Sequence, residues 1–300
     1  MGTKTKSGRD ERLAARPLAE SLTILGHQLA ESILISAPHA RTGADEGVHQ
    51  QRVATRRLRS LIRCCSPVLD SAYIDALSKD LAWLGSALGA RRDLHVLESH
   101  LYLGLDGMSP DNQTAMRECL DEDFARRSAV AEDELREVIS SLRYHELMRI
   151  LGVVELGGYL RVDSHGTSKR VVLPLIHHAW RRLDHSVDRL GTEVDIAGWH
   201  RVRMRAKDLR YVVDVFGPIY GSDFDRLGRR LAALTDELGA QRDAYLAAEE
   251  LSGLAGRVSP QLAFELGRLA AAHDARVMSV RDNFPGLWAE VRKARRTAGI

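Results

Sequence analysis

The chain has 300 residues, of which 44% are hydrophobic and 28% charged, as in a globular protein with one large or two ordinary domains. Its 43 basic and 41 acidic residues leave a net charge of +2, which excludes a uniformly basic protein, so an anion site must arise from local segregation of charge. Three cysteines (Cys64, Cys65 and Cys119) form neither a disulfide framework nor a metal-ligand spacing. No stretch is typical of a signal peptide or a membrane span, and we expect a cytoplasmic protein with reduced thiols.

Apolar residues recur at helical spacing along the chain, and no segment alternates with period two, so the sequence predicts an all-α fold. Residues 1–10 are expected to be a disordered leader. The predicted helices of the first half are about 13–36, 45–65, 71–89, 90–104 and 110–142, followed by a stretch from Arg143 into a Gly-rich linker near 157–168. Asp45 is a candidate N-cap, Pro38 is assigned to a loop, and Gly89 is expected to end a helix.

The second half repeats this order. Its predicted helices are about 170–190, 197–216, 222–239, 240–254 and 260–282, with a final amphipathic piece from Pro285. Gly191 and the pair Gly217-Pro218 are expected to end the first two.

The helix from Val48 to Cys64 carries an unusual stripe of cations. At about 100° per residue, five side chains fall within a band roughly 80° wide, namely those of His49, Arg52, Arg56, Arg59 and Arg63. Like charges at this spacing repel one another, and no acid lies between Val48 and Ser66. A solvated helix face normally mixes signs, so the stripe indicates a surface that binds oxyanions, whereas Arg57 lies off it.

The pattern H-x-x-R-x-x-x-(R or K)-x-L-R occurs a second time, with His200, Arg203, Lys207 and Arg210 in the stripe. His49 and His200 are 151 positions apart, and the downstream motifs LGARRD (88–93) and LGAQRD (238–243) are 150 apart. Two motifs in one order at nearly one offset predict an internal duplication. We expect two repeats, about 11–156 and 168–300, folded as two pseudo-symmetric four-helix bundles with a basic groove between them.

The second copy is less purely basic, because Asp208 and Asp214 lie in it and Asp214 falls on the stripe. Asp214 is expected either to weaken the local positive field or to pair with Arg210 at i,i+4, and we expect this helix to contribute less. For the LG-x-x-RD motifs a structural and a functional interpretation stay open. The glycine could end a helix, and Asp93 or Asp243 could begin the next one or orient an arginine of the basic helix. Arg92 and Arg242 are candidates to face the same groove.

No motif of a phosphate-binding loop, a nucleophilic serine or a metal-binding helix occurs in the sequence, and the basic helices lack the acids that would hold a metal ion. Neither His49 nor His200 has a second histidine or a carboxylate three or four residues after it. We therefore expect no enzyme activity, no cofactor and no metal.

The duplicated motif, each copy followed by LG-x-x-RD, resembles the CHAD family, the conserved-histidine α-helical domain, over about 13–300. The resemblance implies two pseudo-symmetric four-helix bundles around a basic groove that binds inorganic polyphosphate, with association of some members with polyphosphate granules. The binding set that it carries over is His49, Arg52, Arg56, Arg59, His200, Arg203, Lys207 and Arg210. Arg63 is added on spacing alone, and Lys79 and its counterpart Arg229 are further candidates on neighbouring helices.

The sequence and the resemblance together predict a non-enzymatic polyphosphate-binding module, and the resemblance implies targeting to polyphosphate granules. Other polyanions stay open as ligands. One alternative is a helical nucleic-acid-binding protein, although aromatic residues do not interleave with the cations as base stacking would require. Another is a granule-associated scaffold that recruits an acidic partner.

Overall fold

The computed structural model of the chain describes residues 16–161, 166–190 and 196–300. Within these ranges it contains nine α-helices, short 3₁₀ turns and no strand, apart from isolated bridges between Pro17 and Thr167 and between Leu69 and Leu160. The all-α prediction is therefore confirmed. The helices are α1 (Leu18–Arg41), α2 (Asp45–Cys65), α3 (Ser71–Gly104), α4 (Pro110–Ser140), α5 (Leu142–Gly152), α6 (Ser168–Asp188), α7 (Ile196–Phe216), α8 (Ser222–Ala255) and α9 (Pro260–Thr297). The predicted leader and Gly191 lie outside the described residues.

The helices are longer than predicted at four places. α3 and α8 continue through Gly89 and Gly239, so the prediction that glycine ends a helix at the LG-x-x-RD motifs is wrong. α9 continues through Pro285, and α1 through Pro38. A glycine in a helix interior costs only about 1 kcal/mol relative to alanine, which tertiary packing on either side offsets.

The N-cap residue of α2 lies one position earlier than predicted. Ala44 is the N-cap residue and makes no side-chain cap, whereas Asp45 and Glu46 lie in the first turn. Their carboxylates are placed where the helix dipole favours negative charge. The basic stripe then begins immediately after this acidic turn.

The two halves correspond in helix length and in one backbone exchange. α2 and α7 each have 21 residues, and α3 and α8 each have 34. At the starts of α1 and α6, Leu18 N donates to Gly166 O at 2.9 Å while Ser168 N donates to Arg16 O at 3.0 Å. The internal duplication stays a prediction, with which these correspondences agree.

The larger apolar core draws on both halves of the chain. It contains side chains of α1, α2, α6 and α7 together with the first parts of α3 and α8, and Leu58, Leu84, Leu209 and Leu234 in it are fully buried. Burial of one such side chain contributes about 1.5–3 kcal/mol. The apolar interior is thus not divided at the predicted repeat boundary.

A second, smaller core packs the C-terminal parts of α3 and α8 against the N-terminal parts of α4 and α9. Its buried side chains include Leu101, Phe124, Leu251 and Leu266. On α3 the larger core ends at Leu88 and the smaller one begins at Leu94. The LG-x-x-RD segment of α3 therefore lies between the two cores.

No helix in the described ranges is both long enough and apolar enough to cross a bilayer.

Candidate anion-binding site

The stripe on α2 faces away from the apolar core because the opposite side of the helix is buried. Val48, Leu58, Leu61 and Ile62 are at most 2% exposed, whereas the five stripe side chains are all partly exposed. α7 is built in the same way, with Val202, Ala206 and Leu209 fully buried. On α7, Arg203, Lys207 and Arg210 are partly exposed and His200 is exposed.

Lys207 marks the point where the cations of the two helices meet. Burial, together with the positive charges of Arg56, Arg203 and Arg52, lowers the pKa of Lys207 to about 7, and the carboxylate of Asp243 offsets this only in part. Desolvation disfavours the charged form of an ammonium group, and nearby positive charges disfavour it further. Arginines of α2 and a lysine of α7 thus share one partly buried, positively charged site.

Arg203 and His200 extend this site along α7. Burial lowers the pKa of Arg203, and among the nearby charges Arg56 and Arg242 act in the same direction while Asp243 opposes them. Burial, Arg242 and Arg203 also lower the pKa of His200. Arg242, a candidate from the LG-x-x-RD motif, is therefore close to the cations of α7.

Arg59 extends the site along α2. Burial and the charges of Arg63 and Arg56 lower the pKa of Arg59, and Asp208 acts against them. We call the connected set the central cation cluster; it consists of Arg52, Arg56, Arg59, His200, Arg203, Lys207 and Arg242.

The LG-x-x-RD motif of α3 holds an arginine of α2 in place. Arg52 Nη2 donates to Asp93 Oδ1 at 2.8 Å, and the Arg52 side chain is only 21% exposed. The prediction that this aspartate could orient an arginine of the basic helix is confirmed for Asp93. It acts from the interior of α3, not from a helix start.

The glycines of these motifs lie beneath guanidinium groups. A Cβ added at Gly89 would lie 3.9 Å from Arg52 Nε, and one at Gly239 would lie 3.8 Å from Arg203 Nη2. These are ordinary contacts for a methyl group, but a larger side chain would meet the guanidinium. The glycines thus leave room for these guanidinium groups beside α3 and α8.

Arg63 and Asp208 form an ion pair across the two basic helices. Arg63 Nη1 donates to Asp208 Oδ1 at 2.6 Å, and the Asp208 side chain is 16% exposed. The predicted site residue Arg63 is therefore engaged with α7. This pairing was not predicted, because the sequence does not show that the two helices cross near this point.

Arg210 is more fully neutralised than the stripe arginines of α2. Its Nη1 donates to Thr235 Oγ1 at 2.7 Å and to Asp236 Oδ1 at 3.1 Å, and its Nε lies 3.6 Å from Asp214 Oδ2. The predicted i,i+4 contact with Asp214 is present. Asp214 also lies near Arg57, which lowers the pKa of Asp214 against the stronger, opposite effect of burial.

Three predicted site residues are not joined to the cluster by the interactions described for its members. Lys79 on α3 and Arg229 on α8 are exposed, and Arg92 is partly exposed. Their participation in a site stays a prediction.

His49 lies at the start of the stripe, with its Nδ1 buried and without a hydrogen-bond partner in the described part of the chain. Across residues 16–161, 166–190 and 196–300, no group of three or more His, Cys, Asp or Glu side chains could hold a metal ion.

The fold and the site define an all-α protein in which two long helices bring cations together between two apolar cores. Comparison with known proteins identifies the family that has this architecture. The sequence profile of the CHAD domain matches residues 24–252, which is most of the chain. The chain therefore belongs to the CHAD domain family, as its motifs predicted.

Two solved structures have the same fold. The CHAD domain from the plant Ricinus communis superposes with a TM-score of 0.72 at 26% identity, covering 93% of this chain and 93% of the plant chain. PptA from Streptomyces chartreusis superposes with a TM-score of 0.75 at 21% identity, covering 90% of this chain and 99% of PptA.

Two uncharacterized proteins from different strains of Mycobacterium tuberculosis are 27% identical over 248 residues, covering 79% of this chain. The chain spans 46% of the length of these relatives, so it corresponds to less than half of each. Membership of the CHAD family supports a role associated with polyphosphate.

Proposed function

We propose that this chain is a non-enzymatic module that binds inorganic polyphosphate in the central cation cluster. The observation that carries the proposal is the environment of Lys207, whose pKa lies near 7 because it is buried among Arg56, Arg203 and Arg52. Such a cluster disfavours the folded protein unless an anion neutralises it.

Polyphosphate fits this site because its charges repeat along a flexible chain, as the cations repeat along α2. From Arg52 to Arg59 the stripe advances by about 10 Å at 1.5 Å per residue. Guanidinium groups bind phosphate oxygens with charge-assisted, often bidentate hydrogen bonds. Release of counterions adds a driving force that weakens steeply with salt.

The test is titration of long-chain polyphosphate into the full chain, followed by calorimetry at two salt concentrations. The double variant Arg52→Glu/Arg56→Glu should lose at least about tenfold in affinity, because each reversal replaces an attraction by a repulsion. The control is Arg57→Glu/Arg292→Glu, which makes the same change in net charge at two exposed positions. Equal affinities of the two double variants would contradict the proposal.

Competition with duplex DNA and RNA at equal phosphate concentration separates this function from nucleic-acid binding. Two aromatic rings adjoin His200 and Arg203, but Arg281 already lies 5.7 Å above the Trp199 ring and Arg242 lies 5.7 Å above the Tyr245 ring. Guanidinium groups thus already cover one face of each ring, and bases stack on such faces. We therefore expect nucleic acids to displace polyphosphate poorly.

The non-enzymatic part of the proposal has its own test. Incubation of polyphosphate with the chain and added Mg²⁺ or Mn²⁺ should release no phosphate beyond that of a protein-free control.

We further propose a cytoplasmic location at polyphosphate granules. A fluorescent fusion should colocalise with the granules, and Arg52→Glu/Arg56→Glu should abolish this. Colocalisation that survives the substitutions would favour a scaffold held there by an acidic protein partner.

A further inference from the structure

A second group of cations surrounds Asp208, outside the central cation cluster. A cavity of about 50 Å³ between α2, α6 and α7 is lined by Arg63, His178, Arg182 and Arg205 together with Asp208. The Asp208 carboxylate contacts Arg63 at 2.6 Å and Arg205 at 3.6 Å. Three guanidinium groups and one carboxylate leave a local formal charge of +2, because three positive charges meet one negative charge.

The environment of Arg205 indicates that this group is not neutralised. Burial lowers the pKa of Arg205, Arg182 and Arg63 lower it further, and Asp208 compensates only in part. The acids of α6, Asp184 and Asp188, lie about 200° and 240° round the helix from Arg182, away from the cavity.

The internal correspondence of the two halves makes these cations specific to the second half. At the offset of 150 between α1 and α6, Arg182 corresponds to Ser32. At the offset of 151 between α2 and α7, Arg205 corresponds to Ala54, which is 6% exposed. The first half therefore carries no charge at these two positions, and α1 and α2 form without an arginine at either of them.

Arg63 connects the second group to the central cation cluster. It lowers the pKa of Arg59 on one side and that of Arg205 on the other. Along α2, the run of cations from Arg52 to Arg63 covers about 16 Å. The positive surface then continues onto α6 and α7 beyond the end of α2.

We propose that Arg63, His178, Arg182 and Arg205 form an outer cation surface that binds phosphate groups of a polyphosphate chain whose other phosphates occupy the central cation cluster. This inference rests on the proposed function and adds a ligand class to it, because only a chain long enough to reach both surfaces uses both. Tripolyphosphate occupies the central cluster alone. The chain thus selects long polyphosphate over short.

The experiment compares tripolyphosphate with long-chain polyphosphate as ligands of the full chain. The variant Arg182→Ser/Arg205→Ala installs the residues of the corresponding positions in the first half. Arg181→Ser/Arg292→Ala is the control, because both arginines are exposed and neither lines the cavity. The cavity variant should weaken long-chain binding by about tenfold and reduce its salt dependence, while tripolyphosphate affinity stays within about twofold.

Each other outcome overturns the inference. Long-chain affinity equal to that of the control means that the outer surface binds nothing, and equal weakening for both ligands means that the arginines act through the central cluster or the fold. Thermal unfolding of each variant checks folding, and Arg182→Gln/Arg205→Gln replaces a variant that does not fold. If the protein without substitutions binds neither ligand, the proposed function fails as well. If that protein binds polyphosphate and the cavity variant binds it equally well, this inference alone is refuted.

Discussion

Lys207 is the side chain whose replacement tests the central cation cluster most directly. Its pKa falls from the ordinary value of 10.5 to about 7 because the ammonium group is buried beside Arg56 and Arg203. Each tenfold change in proton affinity corresponds to about 1.4 kcal/mol, so the charged form of Lys207 destabilises the fold by up to about 5 kcal/mol.

The sign follows from the protonation of the folded and unfolded chains. Below pH about 7 lysine is protonated in both, and the full destabilisation is present. Between about 7 and 10.5 the folded protein has lost this proton while the unfolded chain still holds it, so the free energy of unfolding rises with pH. The lysine therefore costs stability at low pH and little at high pH.

The substitution Lys207→Met removes the charge and keeps a long apolar stem. At about pH 6 in phosphate-free buffer, the variant should be more stable than the unchanged protein by about 2 kcal/mol or more, which raises Tm by about 4–8 °C. At about pH 9.5 the difference should be much smaller, because one unit below the pKa of the unfolded lysine only about 1.4 kcal/mol of the cost remains. Denaturant unfolding at both pH values measures it.

The matched control is Lys293→Met on α9, where the lysine is exposed. Its effect should stay within about 0.5 kcal/mol at either pH. A stability gain for Lys207→Met that does not depend on pH, or a loss at about pH 6, would refute the reasoning, because both would mean that the ammonium is not repelled in the folded protein.

Other measurements address the ligand and the motif. Polyphosphate binding should take up close to one proton at about pH 8, because the anion raises the pKa of Lys207 again. Calorimetry in buffers of different ionisation enthalpy measures this proton uptake. Equal uptake by Lys207→Met would mean that another group takes up the proton. Arg52→Glu/Arg56→Glu should weaken binding more than Arg203→Glu/Lys207→Glu, because Lys207, whose pKa is about 7, must take up a proton before it contributes a full charge. The reverse order of affinities would count against the asymmetry. Gly89→Ala should raise the free energy of unfolding by about 0.5–1 kcal/mol without changing the affinity for polyphosphate. Gly89→Leu should displace Arg52 and weaken binding. Unchanged affinity of Gly89→Leu would mean that the guanidinium group does not need this space.

Helical periodicity was sufficient to predict the all-α fold and both basic helices, because the buried side of a helix and its polar side have distinct spacings. α2 was predicted with its observed bounds, Asp45–Cys65. The errors occurred where a local preference competes with packing. Gly89 weakens a helix locally, but Leu88 and Leu94 on either side of it are buried in two cores, and the helix continues.

The site was less predictable than the helices. The sequence identified the stripes and the motif that holds Asp93, since both are repeated. It did not identify the contact of Arg63 with Asp208, because pairing across helices depends on where they cross. It also did not identify Arg182 on α6 and Arg205 on α7, because both lie outside the repeated cationic pattern and meet only in three dimensions.

The position of the LG-x-x-RD segment between two separate apolar cores has a consequence for how a ligand would meet the cations. The larger core fixes α2 and α7 on one side, and the smaller core ties α3 to α8 on the other. Mutual repulsion is therefore overcome when the chain folds, before any anion arrives. A polyanion would therefore not have to draw the two helices together when it binds. Its association would resemble binding to a preformed site.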